Sequence, residues 1–205
     1  MNRRGLSILH DMAGMTEWLL ETMKRPAARR YGGEAVTELA HALQCADLAA
    51  SAGADEQLVL ACLLHDVGRF AAPGREISDT LEGAGAPMPA ARGHHELGAD
   101  LLAPYVPERV AFLVCAHADA KRYLCATDPG YHEALSSASQ RTLALQGGVM
   151  SVEAAWRAEA HPWWDDAVRL RRWDDEAKVA GKRTRPLTAW KPLLEKYFSA
   201  ARADR

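Results

Sequence analysis

The stretch "ACLLHDVGRF", residues 61–70, ends an apolar run with a histidine and an aspartate side by side. Burying such groups without partners costs about 1–3 kcal/mol for each unpaired polar group, and more for a charge. Either His65 and Asp66 are an exposed chance pair, or something satisfies them. A metal ion can do so, because imidazole nitrogen and carboxylate oxygen are both good ligands.

The rest of the chain fits a soluble globular protein. Of its 205 residues, 48% are apolar and 25% charged, and the net charge is only −2. Cationic and anionic residues are interspersed, which gives no electrostatic footprint for nucleic acid. No apolar segment is long enough to span a membrane. The start, "MNRRGLSILHDMAGM", breaks its apolar run at His10 and Asp11 and does not read as a signal peptide. Cys45, Cys62, Cys115 and Cys125 are isolated, without a CxxC, and read as reduced thiols in a cytoplasmic protein.

Helical periodicity runs nearly throughout. Helices are expected over 7–24, 34–52, 55–66, 94–104, 107–124 and 129–146. Another stretch, 151–180, breaks near Pro162, and a last amphipathic helix covers 188–201. Asp55 is placed to cap the third helix and Gly68 to close it. Residues 71–93, rich in glycine and proline, read as a long loop of the kind that forms lids. No strand pattern or repeat is visible, so the expectation is one all-α domain over 1–205.

Against this pattern further candidate ligands sit at helical positions: His41 upstream, His94 beside His95, His117, and Asp174 near the end. The order His…His-Asp…His…His…Asp resembles that of the HD-domain metalloproteins, which implies a helical bundle with metal ligands facing inward. "HHELGA" matches the family pattern with His94 in the ligand slot. Adjacent helical residues point about 100° apart, so His65 and Asp66 can straddle a cluster, with the carboxylate shared by two metals. Imidazole and carboxylate without thiolate suit iron or manganese at least as well as zinc.

Several longer stretches sharpen the resemblance: "YGGEAVTELAHALQCA", "HADAKRYLCATDPGYHEALSSAS", "LALQGG" and "LRRWDDEAKV". They are similar to HD-domain mixed-valent di-iron oxygenases that cleave carbon–phosphorus bonds. The resemblance implies one iron on His41, His65, Asp66 and Asp174, and a second on Asp66, His94 and His117. It implies that Tyr31 occupies the second iron at rest, and that Glu34 meets the substrate amine. It assigns Lys121, Ser139 and Gln146 to the phosphonate, with Asp66 and Lys121 as the catalytic pair. Arg69 stands where that family carries histidine, and its position three residues after Asp66 turns it toward the site. A guanidinium there could grip phosphonate in bidentate fashion.

The function so implied is oxidation by dioxygen of a 1-hydroxy-2-aminoethylphosphonate or its trimethylammonio counterpart, on an Fe(II)/Fe(III) pair. The products would be phosphate and glycine, or glycine betaine. Arg69 and the tryptophans at 163, 164 and 173 tilt the expectation toward the methylated substrate. The same ligands could instead activate water in an HD phosphohydrolase, and a regulatory module that only binds a phosphorylated ligand is a third reading. His10, His132 and His161 have no matching role and are expected at the surface. Asp174 is expected to be the ligand and Asp175 its neighbour.

Overall fold

Helices make up the regular structure of the described residues, which are 12–25, 29–31, 33–70 and 93–200 of a computed structural model. No strand occurs among them, and the one extended pairing is an isolated antiparallel bridge between Arg30 and Thr37. His10, the segment 71–92 expected to form a lid, and the end from 201 lie outside the described residues.

The element that organises the rest is α3 (Glu56–Leu64), whose residues from Leu58 to Leu64 are all buried. A helix apolar on every side can only be satisfied at the centre of a bundle. It packs against α2 (Glu38–Ser51), α6 (Glu108–Thr127), α10 (Trp164–Glu176) and α11 (Lys191–Ala200). Helix α1 (Met12–Lys24) lies on α11, and Leu19, Met23, Leu194 and Phe198 belong to the same buried core. Asp55 caps α3 as expected, accepting from the backbone N–H of Gln57 and Leu58 at 3.0 and 3.1 Å.

Helix α3 stops at Leu64, and His65 and Asp66 form a turn before the short α4 (Val67–Phe70). Next comes α5 (His94–Leu102), which packs on both α4 and α6. Gly68 does not end a helix, as its type suggested, but is the crossing point of α4 and α5. A Cβ there would lie 2.1 Å from the His94 carbonyl oxygen and 2.7 Å from the Gly98 nitrogen. Both obstacles are backbone, so only glycine fits.

Elsewhere the boundaries move for local reasons. Helix α2 begins at Glu38 rather than 34, because Thr37 caps it by accepting from the Ala40 N–H. The preceding residues turn through Gly33 at φ +88°, with the Tyr31 N–H donating to the Val36 carbonyl. The expected helix 129–146 is split into α7 (Tyr131–Ala134) and α8 (Ser137–Leu145), the second capped by Ser136. The break at Pro162 separates α9 (Val152–Glu159) from α10. A 3₁₀ turn over Leu187–Trp190 precedes α11.

Candidate metal centre

Four imidazoles and two carboxylates from five elements converge beside the C-terminal end of α3. His41 comes from α2, His65 and Asp66 from the turn after α3, His94 from α5, His117 from α6 and Asp174 from α10. All six are buried, none more than 5% exposed. Donor atoms of His41, His65 and Asp66 lie mutually within 4.8 Å, and so do those of Asp66, His94 and His117. Asp66 belongs to both groups. Asp174 joins the first, its Oδ1 being 3.1 Å from His41 Nε2 and 3.9 Å from His65 Nε2.

Backbone carbonyls aim three of the rings. Nδ1 of His41 donates to Ala177 O at 2.9 Å, that of His65 to Cys62 O at 2.8 Å, and that of His117 to Val114 O at 2.7 Å. A carbonyl can only accept, so each of these nitrogens carries a hydrogen, and in the neutral ring that binds a metal Nε2 keeps its lone pair. The Nε2 atoms of the four rings face one another in pairs: His41 and His65 at 3.1 Å, His94 and His117 at 3.2 Å. Between the pairs stands Asp66, with Oδ1 2.9 Å from His94 Nε2 and Oδ2 3.5 Å from His65 Nε2.

These atoms are poorly satisfied by protein alone. Both oxygens of Asp66 and Oδ1 of Asp174 are buried without a hydrogen-bond partner. Burial raises the Asp66 carboxyl, but His65 and His94 outweigh it and hold it well below the usual carboxylate range. Burial correspondingly lowers His65, yet Asp66 beside it carries the imidazole up to about 10. His117, buried and facing His65 and His94, is held well below its ordinary value. Without metal, the centre balances its carboxylates with a proton on His65. Two cations, one for each group of donors, satisfy the same orphaned oxygens and paired lone pairs, so the residues fit a two-metal site.

A cavity of about 630 Å³ opens onto the centre, lined among others by Tyr31, Glu34, Arg69, Lys121, Ser139 and Gln146. Every position singled out for substrate from the sequence therefore borders one space. Tyr31 stacks on His41, ring centroids 3.9 Å apart, and burial raises its hydroxyl well above the ordinary value. Glu34 accepts the Ser136 hydroxyl at 2.5 Å. Lys121 Nζ donates to Thr142 Oγ1 at 2.8 Å, and burial followed by the charge of Arg171 lowers its pKa to about 7. Oε1 of Gln146 is buried and has no hydrogen-bond partner.

Arg69 borders the cavity, its Nε donating to Glu38 at 3.3 Å and its guanidinium lying over the Tyr31 ring. One expectation changes. None of the three tryptophans lines the cavity, whose aromatic lining among the described residues is Tyr31 besides two histidines. Trp164 is buried in the core, and Trp163 meets Phe112 and His161 edge-on.

Sequence reasoning missed Arg171. The residue is 4% exposed and borders the cavity, and Nη1 donates to Asp174 Oδ2 at 2.6 Å. The available signal was its i−3 and i−4 spacing to Asp174 and Asp175 on one helix. It also missed Glu38, a buried carboxylate shared by Arg29 and Arg69.

Comparison with known proteins agrees with this geometry. The HD-domain family model matches residues 39–155, which hold all the candidate ligands except Tyr31 and Asp174. Hydroxymethylphosphonate dioxygenase of Gimesia maris is 38% identical over 79% of this chain and 78% of its own length. The glycine-betaine-forming [1-hydroxy-2-(trimethylamino)ethyl]phosphonate dioxygenase of Leisingera caerulea is 33% identical over 91% of both chains. The chain belongs to the HD-domain family, and within it to the group that includes these phosphonate dioxygenases.

Proposed function

We propose that the protein is an iron-dependent oxygenase that uses dioxygen to break the C–P bond of a 1-hydroxyphosphonate, within a single cytoplasmic HD domain over 1–205. One observation carries the reading: two buried groups of nitrogen and oxygen donors share Asp66, at the floor of a cavity bordered by Lys121. The ligand set is His41, His65, Asp66 and Asp174 for one iron, and Asp66, His94 and His117 for the other. A mixed-valent Fe(II)/Fe(III) pair would supply the redox capacity for dioxygen and hold the hydroxyl and phosphonate oxygens of the substrate.

The chain's own residues bind and orient. Lys121, Ser139 and the amide N–H of Gln146 border the cavity and suit a phosphonate, whose oxygens accept charge-assisted hydrogen bonds. Glu34, which also borders the cavity, presents a carboxylate to an ammonium on C2. Tyr31, stacked on His41, guards the open side of the centre until substrate displaces it. Among the described residues Tyr31 is the one aromatic ring besides two histidines that lines the cavity, which favours the primary amine over the trimethylammonium, since a quaternary cation has no N–H and is best met by ring faces. Phosphate and glycine are then the products.

The test is aerobic incubation of the iron-loaded protein with hydroxymethylphosphonate and with the amino and trimethylammonio 1-hydroxyethylphosphonates. Phosphate release matched by oxygen uptake, highest kcat/KM with the primary amine, is the expected result. Phosphate release that persists under argon would transfer the site to the hydrolase reading.

A further inference from the structure

Asp175 was set aside as the neighbour of a ligand, yet it is the hub of a partly buried polar chain. It accepts from Nε of Arg171 at 3.0 Å, from a second nitrogen of the same guanidinium, and from the Tyr131 hydroxyl. It also accepts from Lys178 Nζ at 3.3 Å. The two cations it gathers lead to different parts of the site. Arg171 donates its remaining nitrogen, Nη1, to Asp174 Oδ2 at 2.6 Å, which leaves Oδ1 turned toward His41 and His65. Lys178 Nζ donates to Ser139 Oγ at 3.1 Å. Since that oxygen accepts from Lys178, the Ser139 hydroxyl hydrogen is free to be donated to an anion in the cavity that Ser139 borders.

We propose that Asp175 is a positioning residue that fixes both halves of the site at once, the ligand oxygen of Asp174 through Arg171 and the anion-binding hydroxyl of Ser139 through Lys178. The inference rests on the proposed function for its substrate half and on the donor geometry alone for its metal half. The physical need is clear on each side. A monodentate carboxylate ligand must have its other oxygen held, or it rotates. A serine hydroxyl binds an anion well only if its rotor is already set. One carboxylate serves both because Arg171 and Lys178 flank it at i−4 and i+3.

The variants Asp175→Asn, Arg171→Lys and Lys178→Met separate the two arms, with Asp166→Asn as a control that breaks an ion pair to Arg109 away from the site. Iron affinity is read by chelator competition and anion affinity by the KM for the phosphonate, with inorganic phosphate as a binding probe, beside the thermal midpoint. Arg171→Lys is expected to weaken iron binding about tenfold. Lys178→Met should raise KM and the phosphate Kd about tenfold at unchanged iron affinity. Asp175→Asn should do both, whereas Asp166→Asn lowers only the midpoint. If Asp175→Asn behaves like Asp166→Asn, the proposal is overturned. Should Asp175→Asn not fold, the single arms decide it: unchanged iron affinity in Arg171→Lys, or unchanged phosphate affinity in Lys178→Met, refutes the assignment. Absence of turnover by the unaltered chain would defeat the oxygenase reading while leaving the iron and phosphate measurements intact.

Discussion

Asp66 stands where a carboxylate can serve both histidine pairs, one oxygen 2.9 Å from His94 Nε2 and the other within 4 Å of His41 and His65. Removing it should cost the protein more than one ligand. Asp66→Ala is expected to lose both irons, whereas Asp174→Ala, which touches only the first group, should weaken mainly one; metal analysis of the purified variants distinguishes them. Lys121 touches no metal donor. Lys121→Ala should keep full iron content and raise KM by about ten- to a hundredfold, the worth of a lost charge-assisted contact of about 1.5–3 kcal/mol. The same residue sets a pH dependence. Its pKa is lowered to about 7, so the free protein holds the charge below that pH and loses it above. Anion binding needs the charged form. Phosphonate affinity should therefore weaken as pH rises through about 7, and this slope should vanish in Lys121→Ala, as titration calorimetry across pH would show.

At the scale of elements, the centre depends on how closely α4 and α5 approach. Gly68→Ala would drive a methyl into the His94 carbonyl and the Gly98 backbone, neither of which can turn aside as a side chain would. It should cost about 1–3 kcal/mol of stability. It should also displace His94 and release the iron it shares with Asp66, visible as a lowered thermal midpoint together with loss of one iron. Elements also show what could be read from the sequence. The central helix was legible because seven consecutive apolar residues behind a capping aspartate admit few other readings. The start of α2 was not, because the turn through Gly33 carries the same small and apolar residues as the helix it precedes. The split between α7 and α8 escaped because "EALSSAS" reads equally as helix, until Ser136 takes the role of cap.

Across the whole molecule, a bundle around one apolar helix delivers ligands from five elements to a common point. The histidines were legible as a set because their order along the chain matches a family pattern; no periodicity alone would have united His41 with Asp174, which lie 133 residues apart. What stayed hidden was the polar scaffold behind them. Arg171 and Asp175 sit in "RRWDDE", a run that resembles a solvated face, and the burial of Arg171 and partial burial of Asp175 are visible only once α10 packs on α6 and α2. Glu38 was hidden because Arg69, 31 residues away, is one of its partners. The core and the centre are nevertheless separable. Phe198→Ala, at a fully buried position on α11, should destabilise by about 3–5 kcal/mol while the folded fraction keeps its full complement of iron, measured by calorimetry and metal analysis on one preparation.

The central claim is that one carboxylate, Asp66, joins two irons. Diffraction at the iron absorption edge from crystals of the iron-loaded protein tests it most directly. The account predicts two anomalous peaks flanking Asp66, one among His41, His65 and Asp174 and the other between His94 and His117. A single peak, or density that responds at the zinc edge instead, would contradict it.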